Sequence, residues 1–215
     1  MQFKTAIFEL SGTLIYDGRE DIQAAIRAFR SQGFSVEPHV IVPMLPASFQ
    51  QHCDHILSTQ FIVLDLPVRQ ELVRKITAQF HLELIHHYRY NPEIYAVPHA
   101  EYLLDMMRKK GIQIWVVGGF NQEVYLEVTR KFQWLDKPYI QFLSFFDLDQ
   151  HRKSKDRNAP SLQLKNTAYF TTSSMPQSRL ADLGVVFELQ GSNSKASSSG
   201  NIRRIGDLLE ASRFL

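Results

Sequence analysis

Few groups of residues in this chain have the types and spacing that chemistry demands. His52 and His55 are three apart and flank Cys53 and Asp54, so on a helix they would lie on one face. A zinc site needs four donors, and no second pair with zinc-like spacing follows. His86 and His87 are adjacent and so point in different directions. The sequence contains no Gly-x-Ser-x-Gly elbow, Walker loop or Gly-x-Gly-x-x-Gly fingerprint. Three other clusters remain. Glu9 lies near the end of an apolar run, just ahead of Ser11-Gly12-Thr13. Lys153, Lys155 and Arg157 form a basic group before Asn158-Ala159-Pro160. Thr171, Thr172, Ser173 and Ser174 form a hydroxyl cluster that could bind a polar ligand or cap the helix after it.

Those residues need elements to hold them. Residues 5–10 read as a buried strand ending in a Gly turn. From Asp21 onward, Ile22, Ala25, Ile26 and Phe29 recur at helical spacing, and Gly33 closes the segment. Residues 40–90 read mostly as helices. Leu66-Pro67 opens one of them, with Leu72, Ile76, Phe80, Leu84 and His87 near one face. Residues 99–110 form an amphipathic helix with Leu103, Leu104 and Met107 inward. Residues 112–117 are the continuous apolar run of a central parallel strand, ended by Gly118-Gly119. A helix over 121–132 follows, then strands over 140–145, 167–171 and 185–189, and a terminal helix over 202–212. The Ser/Gly-rich stretch 191–200 reads as a mobile loop. Strands alternating with helices imply an α/β chain built on a parallel sheet. The helical block interrupts that alternation, which predicts a core of residues 1–17 and 97–215 with a helical insertion over 18–96.

Bulk properties set outer bounds. The 215 residues suffice for one core with a small insertion, and the net charge of +2 gives no reason to expect a nucleic-acid partner. The single cysteine, Cys53, excludes an intrachain disulfide. No apolar run reaches the ~18 residues of a membrane helix, and the N-terminal residues lack a secretory pattern. A cytoplasmic protein without a membrane partner is the expectation.

The layout resembles the haloacid dehalogenase-type hydrolases. Phe8-Glu9-Leu10-Ser11-Gly12-Thr13-Leu14 sits where that family carries a strand ending in Asp-x-Asp-Gly-Thr. Within the superfamily the segment is most similar to the Asp-x-Ala-Gly-Thr of phosphonatase-like members. Asn91-Pro92 to Pro98, ahead of the helix at His99, is similar to their return from the cap. Val117-Gly118-Gly119-Phe120-Asn121, with Trp134 beyond the next helix, resembles their Thr-Thr-Gly-Phe-Asp segment and its Gly-Trp. The resemblance spans nearly the whole chain and is strongest over residues 6–16 and 91–134. It implies a Rossmann-like core under a helical cap. It also implies a nucleophilic Asp that holds Mg²⁺ together with later acidic residues, a Ser or Thr on the phosphoryl oxygens, and a Lys or Arg neutralising their charge.

Position by position, this chain departs from that pattern. Glu9 stands at the nucleophile, one methylene longer than Asp, and could equally be a plain strand-end carboxylate. Ser11 stands at the general acid. Phosphonatases also lack an acid there and use a cap lysine instead, but the matching segment 44–55 has none. Gly118 replaces the phosphate-binding hydroxyl, leaving the backbone N–H groups of Gly118 and Gly119 to contact an anion. Arg157, then Lys155, best match the phosphate-neutralising cation. Thr171 and Thr172 fall where the family has metal-binding carboxylates.

Three readings follow. The first is a descendant that has lost phosphoryl transfer and acts as a binding or regulatory protein, with a small phosphorylated ligand or a protein as partner. The second is an altered phosphatase acting on a small phosphorylated metabolite, with Mg²⁺ as cofactor only in that case. The third is an unrelated flavodoxin-like domain, which predicts no helical cap over the C-terminal ends of the strands. Family analogy also allows a homodimer.

Overall fold

In the computed structural model, the described residues are 3–18, 20–41, 49–61, 65–118, 121–144, 164–172, 184–190, 197–199 and 201–214. Nine strands and seven α-helices lie among them. β1 (Thr5–Glu9) and β2 (Ile15–Tyr16) precede four helices: α1 (Glu20–Ser31), α2 (Pro38–Ile41), α3 (Phe49–Gln60) and α4 (Leu66–Tyr90). Then come β3 (Tyr95–Ala96), α5 (Ala100–Lys109), β4 (Gln113–Gly118), α6 (Gln122–Lys131) and β5 (Ile140–Ser144). β6 (Thr167–Thr171), β7 (Val185–Leu189), β8 (Ser197–Ser199), β9 (Ile202–Ile205) and α7 (Leu208–Ala211) complete the chain.

The main sheet has the order β5-β4-β1-β6-β7-β9-β8. All its pairings are parallel except β8 with β9. The chain runs from β1 to β4 and β5 on one side, then returns to β6 and β7 on the other. Connections therefore leave β1 in opposite directions, and the crevice beyond its C-terminal end is where open α/β sheets place ligands. β2 and β3 form a separate antiparallel pair, Ile15 opposite Ala96 and Tyr16 opposite Tyr95. Through it the chain enters and leaves the four-helix segment.

Strand alternation divides the sheet into two buried faces. Phe8, Phe170 and Phe187 stack in a row on one face, with centroids 4.2 and 4.8 Å apart. The inward sides of α5 and α6 pack into the same cluster through Leu103, Leu104, Met107, Val124 and Val128. The opposite face carries Ile7, Trp115, Val117, Tyr169 and Val186. Glu9 belongs to this second face by strand parity, as do Tyr169 and Thr171.

The helices obey their sequence signals. Pro67 lies in the first turn of α4, where its missing N–H costs nothing. Val73, Ile76, Phe80, Leu84 and Tyr88 form its buried stripe, so the stripe is turned from the expected one at Leu72 and His87. The Asn121 side chain caps α6 by accepting from Val124 N–H at 3.0 Å.

Two expectations fail. Residues 202–205 are a strand, not the start of a terminal helix, and only Leu208–Ala211 is α-helical. Ile202 and Ile205 fit a helical period, but pairing between β7 and β8 overrides that local pattern. In the stretch read as a mobile loop, Ser197–Ser199 is the edge strand β8. The rest of that stretch lies outside the described residues. No described helix is long and apolar enough to cross a membrane.

Candidate functional site

Glu9 is the last residue of β1, at the switch point of the sheet. Both of its carboxylate oxygens accept hydroxyl hydrogen bonds from β6. Tyr169 donates to Oε1 at 2.9 Å and Thr171 to Oε2 at 2.8 Å. The donors are two residues apart on one strand and therefore share a face with each other and with Glu9. Burial holds the Tyr169 hydroxyl well above its ordinary pKa of 10.0, and the charge of Glu9 adds to the shift. Tyr169 thus donates as a neutral phenol.

The turn after β1 is tight. Leu14 N–H donates to the Leu10 carbonyl at 3.1 Å and Gly12 N–H to the Ile15 carbonyl at 2.8 Å. Thr13 donates its hydroxyl to the Glu9 carbonyl. Gly12 sits at φ +81°, a left-handed conformation that favours glycine. A Cβ there would lie 2.6 Å from Thr172 Oγ1. The Thr172 side chain therefore covers the turn closely.

Ser11 does not stand alone. Its hydroxyl donates to Asp17 Oδ1 at 2.7 Å, and Tyr88 of α4 donates to Asp17 Oδ2 at 2.8 Å. Asp17 is only 4% exposed. This buried carboxylate joins the turn after β1 to the end of α4. Beside it, α4 is fastened to α6 by Arg89, which meets Glu127 at 2.6 Å, and by Lys131, which donates to the Asn91 carbonyl. The Arg89 guanidinium, with Arg130 beside it, holds the Glu127 carboxyl below its ordinary range.

The other expected site residues scatter. Gly118 ends β4, and its carbonyl faces the Tyr125 hydroxyl at 3.4 Å, while that hydroxyl donates to the Leu143 carbonyl at 2.9 Å. Gly119, Lys155 and Arg157 lie outside the described residues, as do Ser173 and Ser174. His52 is buried and His55 exposed on α3, and among the described residues no further His, Cys, Asp or Glu joins them to make a group of three.

The donor set can be tested against the Mg²⁺ that the resemblance implies. Mg²⁺ demands octahedral oxygen ligation, usually anchored by one or two carboxylates. Glu9 supplies one carboxylate, and both its oxygens already accept hydroxyls. Thr171 and Thr172 supply neutral hydroxyls. Among the described residues no three His, Cys, Asp or Glu side chains converge on a metal position. These residues do not fit the ion, and no step is routed through it.

Sequence reasoning missed Asp17, Tyr88 and Tyr169. Tyr169 could have been found from its spacing of two from Thr171, once β6 was placed beside β1. Asp17 carried no signal in the sequence, because its partners come from residues 11 and 88.

Comparison with known proteins places the fold. No family profile and no curated protein sequence matches the chain. Solved structures do. A haloacid dehalogenase-like hydrolase from Bacteroides fragilis superposes with a TM-score of 0.63 at 10% identity, over 98% of this chain and 100% of that one. A phosphonoacetaldehyde hydrolase-like protein from Oleispira antarctica gives 0.63 at 11% identity, over 99% and 78%. The β-phosphoglucomutase of Clostridium difficile gives 0.62 at 13% identity, over 88% and 86%. The fold is that of the haloacid dehalogenase-like hydrolases, with a Rossmann-like sheet of six parallel strands.

Proposed function

We propose that this chain has the haloacid dehalogenase-like hydrolase fold without its phosphoryl-transfer chemistry, and acts as a binding or regulatory protein. The observation that carries this reading is that both oxygens of the Glu9 carboxylate are engaged by hydroxyls of β6, from Tyr169 and Thr171. A nucleophile must be aimed at phosphorus within near-contact distance, and a misplacement of about 1 Å costs about a hundredfold. Glu9 instead straddles β6 as a strand-to-strand brace. Threonines at 171 and 172 take the places of metal-binding carboxylates, and Ser11 is held by Asp17. These positions serve one transition state, so the loss of any one of them already removes most of what they supply together.

The four helices between β2 and β3 read as the cap, over residues 18–96. The core, residues 1–17 and 97–215, would present its binding surface at the C-terminal ends of β1, β4 and β6. Its partner would be a protein or a small phosphorylated ligand in the cytoplasm, with Gly118, Gly119, Arg157 and Lys155 as the anion contacts that the family resemblance implies. Retention of a carboxylate at position 9 favours a second reading, a weak or altered phosphatase. Hydrolysis of p-nitrophenyl phosphate with and without Mg²⁺ separates them. The binding reading expects no turnover above buffer, and none lost on Glu9→Gln. Mg²⁺-dependent turnover that Glu9→Gln abolishes would establish the second reading instead.

A further inference from the structure

The turn that leads from α4 into β3 fixes the state of one histidine. Glu93 N–H donates to Asn91 Oδ1 at 2.8 Å. That bond settles which way the Asn91 amide points, an assignment that rests on the hydrogen-bond network. Its oxygen faces Glu93, and its NH₂ group faces His87 Nδ1 at 3.4 Å. An amide NH₂ cannot accept, so Nδ1 is the acceptor and the neutral ring carries its proton on Nε2. The His87 side chain is 11% exposed. Nδ1 also lies 3.6 Å from Glu20 Oε2, at the start of α1.

We propose that His87 is a proton-operated partner switch at the junction of α1, α4 and β3. When neutral, Nδ1 accepts from Asn91 and helps hold the turn. A proton taken from solvent onto the Nδ1 lone pair breaks that bond, because two donors would then face each other. The new N–H turns to Glu20 as a charge-assisted hydrogen bond. Asn91 is released, and the turn entering β3 loosens.

The groups around the ring come from every neighbouring element. α1 contributes Glu20 and Arg27, the latter bonded to Glu20 and, at 2.7 Å, to Glu83 of α4. The segment after β2 contributes Asp17, whose charge and backbone both favour a proton on the ring. α4 itself contributes Tyr88, its ring 5.5 Å away. On the α6 side, Lys131 holds the Asn91 carbonyl and Glu127 holds Arg89. Burial is the largest influence and Arg27 acts with it, so the ring titrates below its ordinary 6.5. The unfolded chain therefore takes this proton first as pH falls through 6.5. Stability contributed by neutral His87 is complete above that pH and declines below it.

Nitrogen NMR on the full chain with isotope-labelled histidine tests the switch. The expected result is an Nε2–H tautomer at neutral pH and a midpoint below 6.5. Amide exchange at Glu93 should rise by roughly tenfold across the titration, after correction for intrinsic rates. Asn91→Ala should raise the midpoint and Glu20→Gln should lower it. An Nδ1–H tautomer at neutral pH, a midpoint indifferent to Asn91→Ala, or unchanged Glu93 exchange would overturn the proposal. The tautomer and exchange readouts need no variant, so they decide the matter even where a variant fails to fold.

Discussion

The Tyr169 hydroxyl lies 2.9 Å from Glu9 Oε1, bridging β6 to the last residue of β1. A carboxylate at the switch point of the sheet is thereby tied into the sheet itself. If that bond is a structural brace, its loss is felt in stability. Tyr169→Phe keeps the packing and removes one hydrogen bond to a charged group, which is expected to cost about 2 kcal/mol. Urea denaturation at neutral pH measures it. Glu9→Gln alone and with Tyr169→Phe completes a cycle whose coupling isolates the pair. A cost under about 0.5 kcal/mol, the usual range for surface changes, would remove the brace from the account.

Alkaline pH gives a second readout. Burial, reinforced by the neighbouring carboxylates Asp17 and Glu9, raises the Tyr88 and Tyr169 hydroxyls well above 10.0. The unfolded chain gives up these protons near pH 10 while the fold retains them. Stability is therefore complete below pH 10 and falls as pH rises beyond it. Tyrosinate absorbance should show two groups titrating only with unfolding, and Tyr88→Phe or Tyr169→Phe should each flatten the alkaline loss.

Asp17 accepts from Ser11 and Tyr88 while almost wholly buried. In Asp17→Asn one acceptor becomes an NH₂ donor that faces a hydroxyl. The expected loss is about 1–3 kcal/mol, read as a lowered urea midpoint with an unchanged slope. Tyr88→Phe should lose less, because it leaves the carboxylate its Ser11 partner.

Gly12→Ala meets two penalties. The left-handed backbone at φ +81° costs a non-glycine residue about 1–2 kcal/mol, and the new Cβ would sit 2.6 Å from Thr172 Oγ1. Adding Thr172→Ala relieves the clash and leaves the backbone penalty. The double variant should therefore unfold at a higher temperature than Gly12→Ala alone.

Much of the fold was legible because its strands are short apolar runs bounded by turns. The runs that became β1, β4, β6 and β7 declare themselves, and both Asn121 and Pro67 mark helix starts. β9 was hidden because Ile202 and Ile205 suit either period, and partner strands decided between them. A closer signal was present at Asp207, which caps α7 by accepting from Glu210 N–H at 2.8 Å, with Glu210 returning a bond to Gly206 N–H at 2.9 Å. That side-chain cap at Asp207 places the helix start at 208. Of the residues singled out in the sequence, Glu9 and Thr171 end β1 and β6, and Ser11 and Thr172 follow them. Their partners were not legible, since Tyr88 reaches Asp17 across 71 residues and Tyr169 reaches Glu9 across 160. Such long-range pairs leave no local pattern to read.

The most direct test of Glu9 as a brace is a crystal soaked with Mg²⁺ and a phosphate mimic such as vanadate. The carboxylate is expected to stay on Tyr169 and Thr171, with no six-coordinate ion beside it. An ordered Mg²⁺ ligated by Glu9, with the mimic in line for attack, would contradict this expectation.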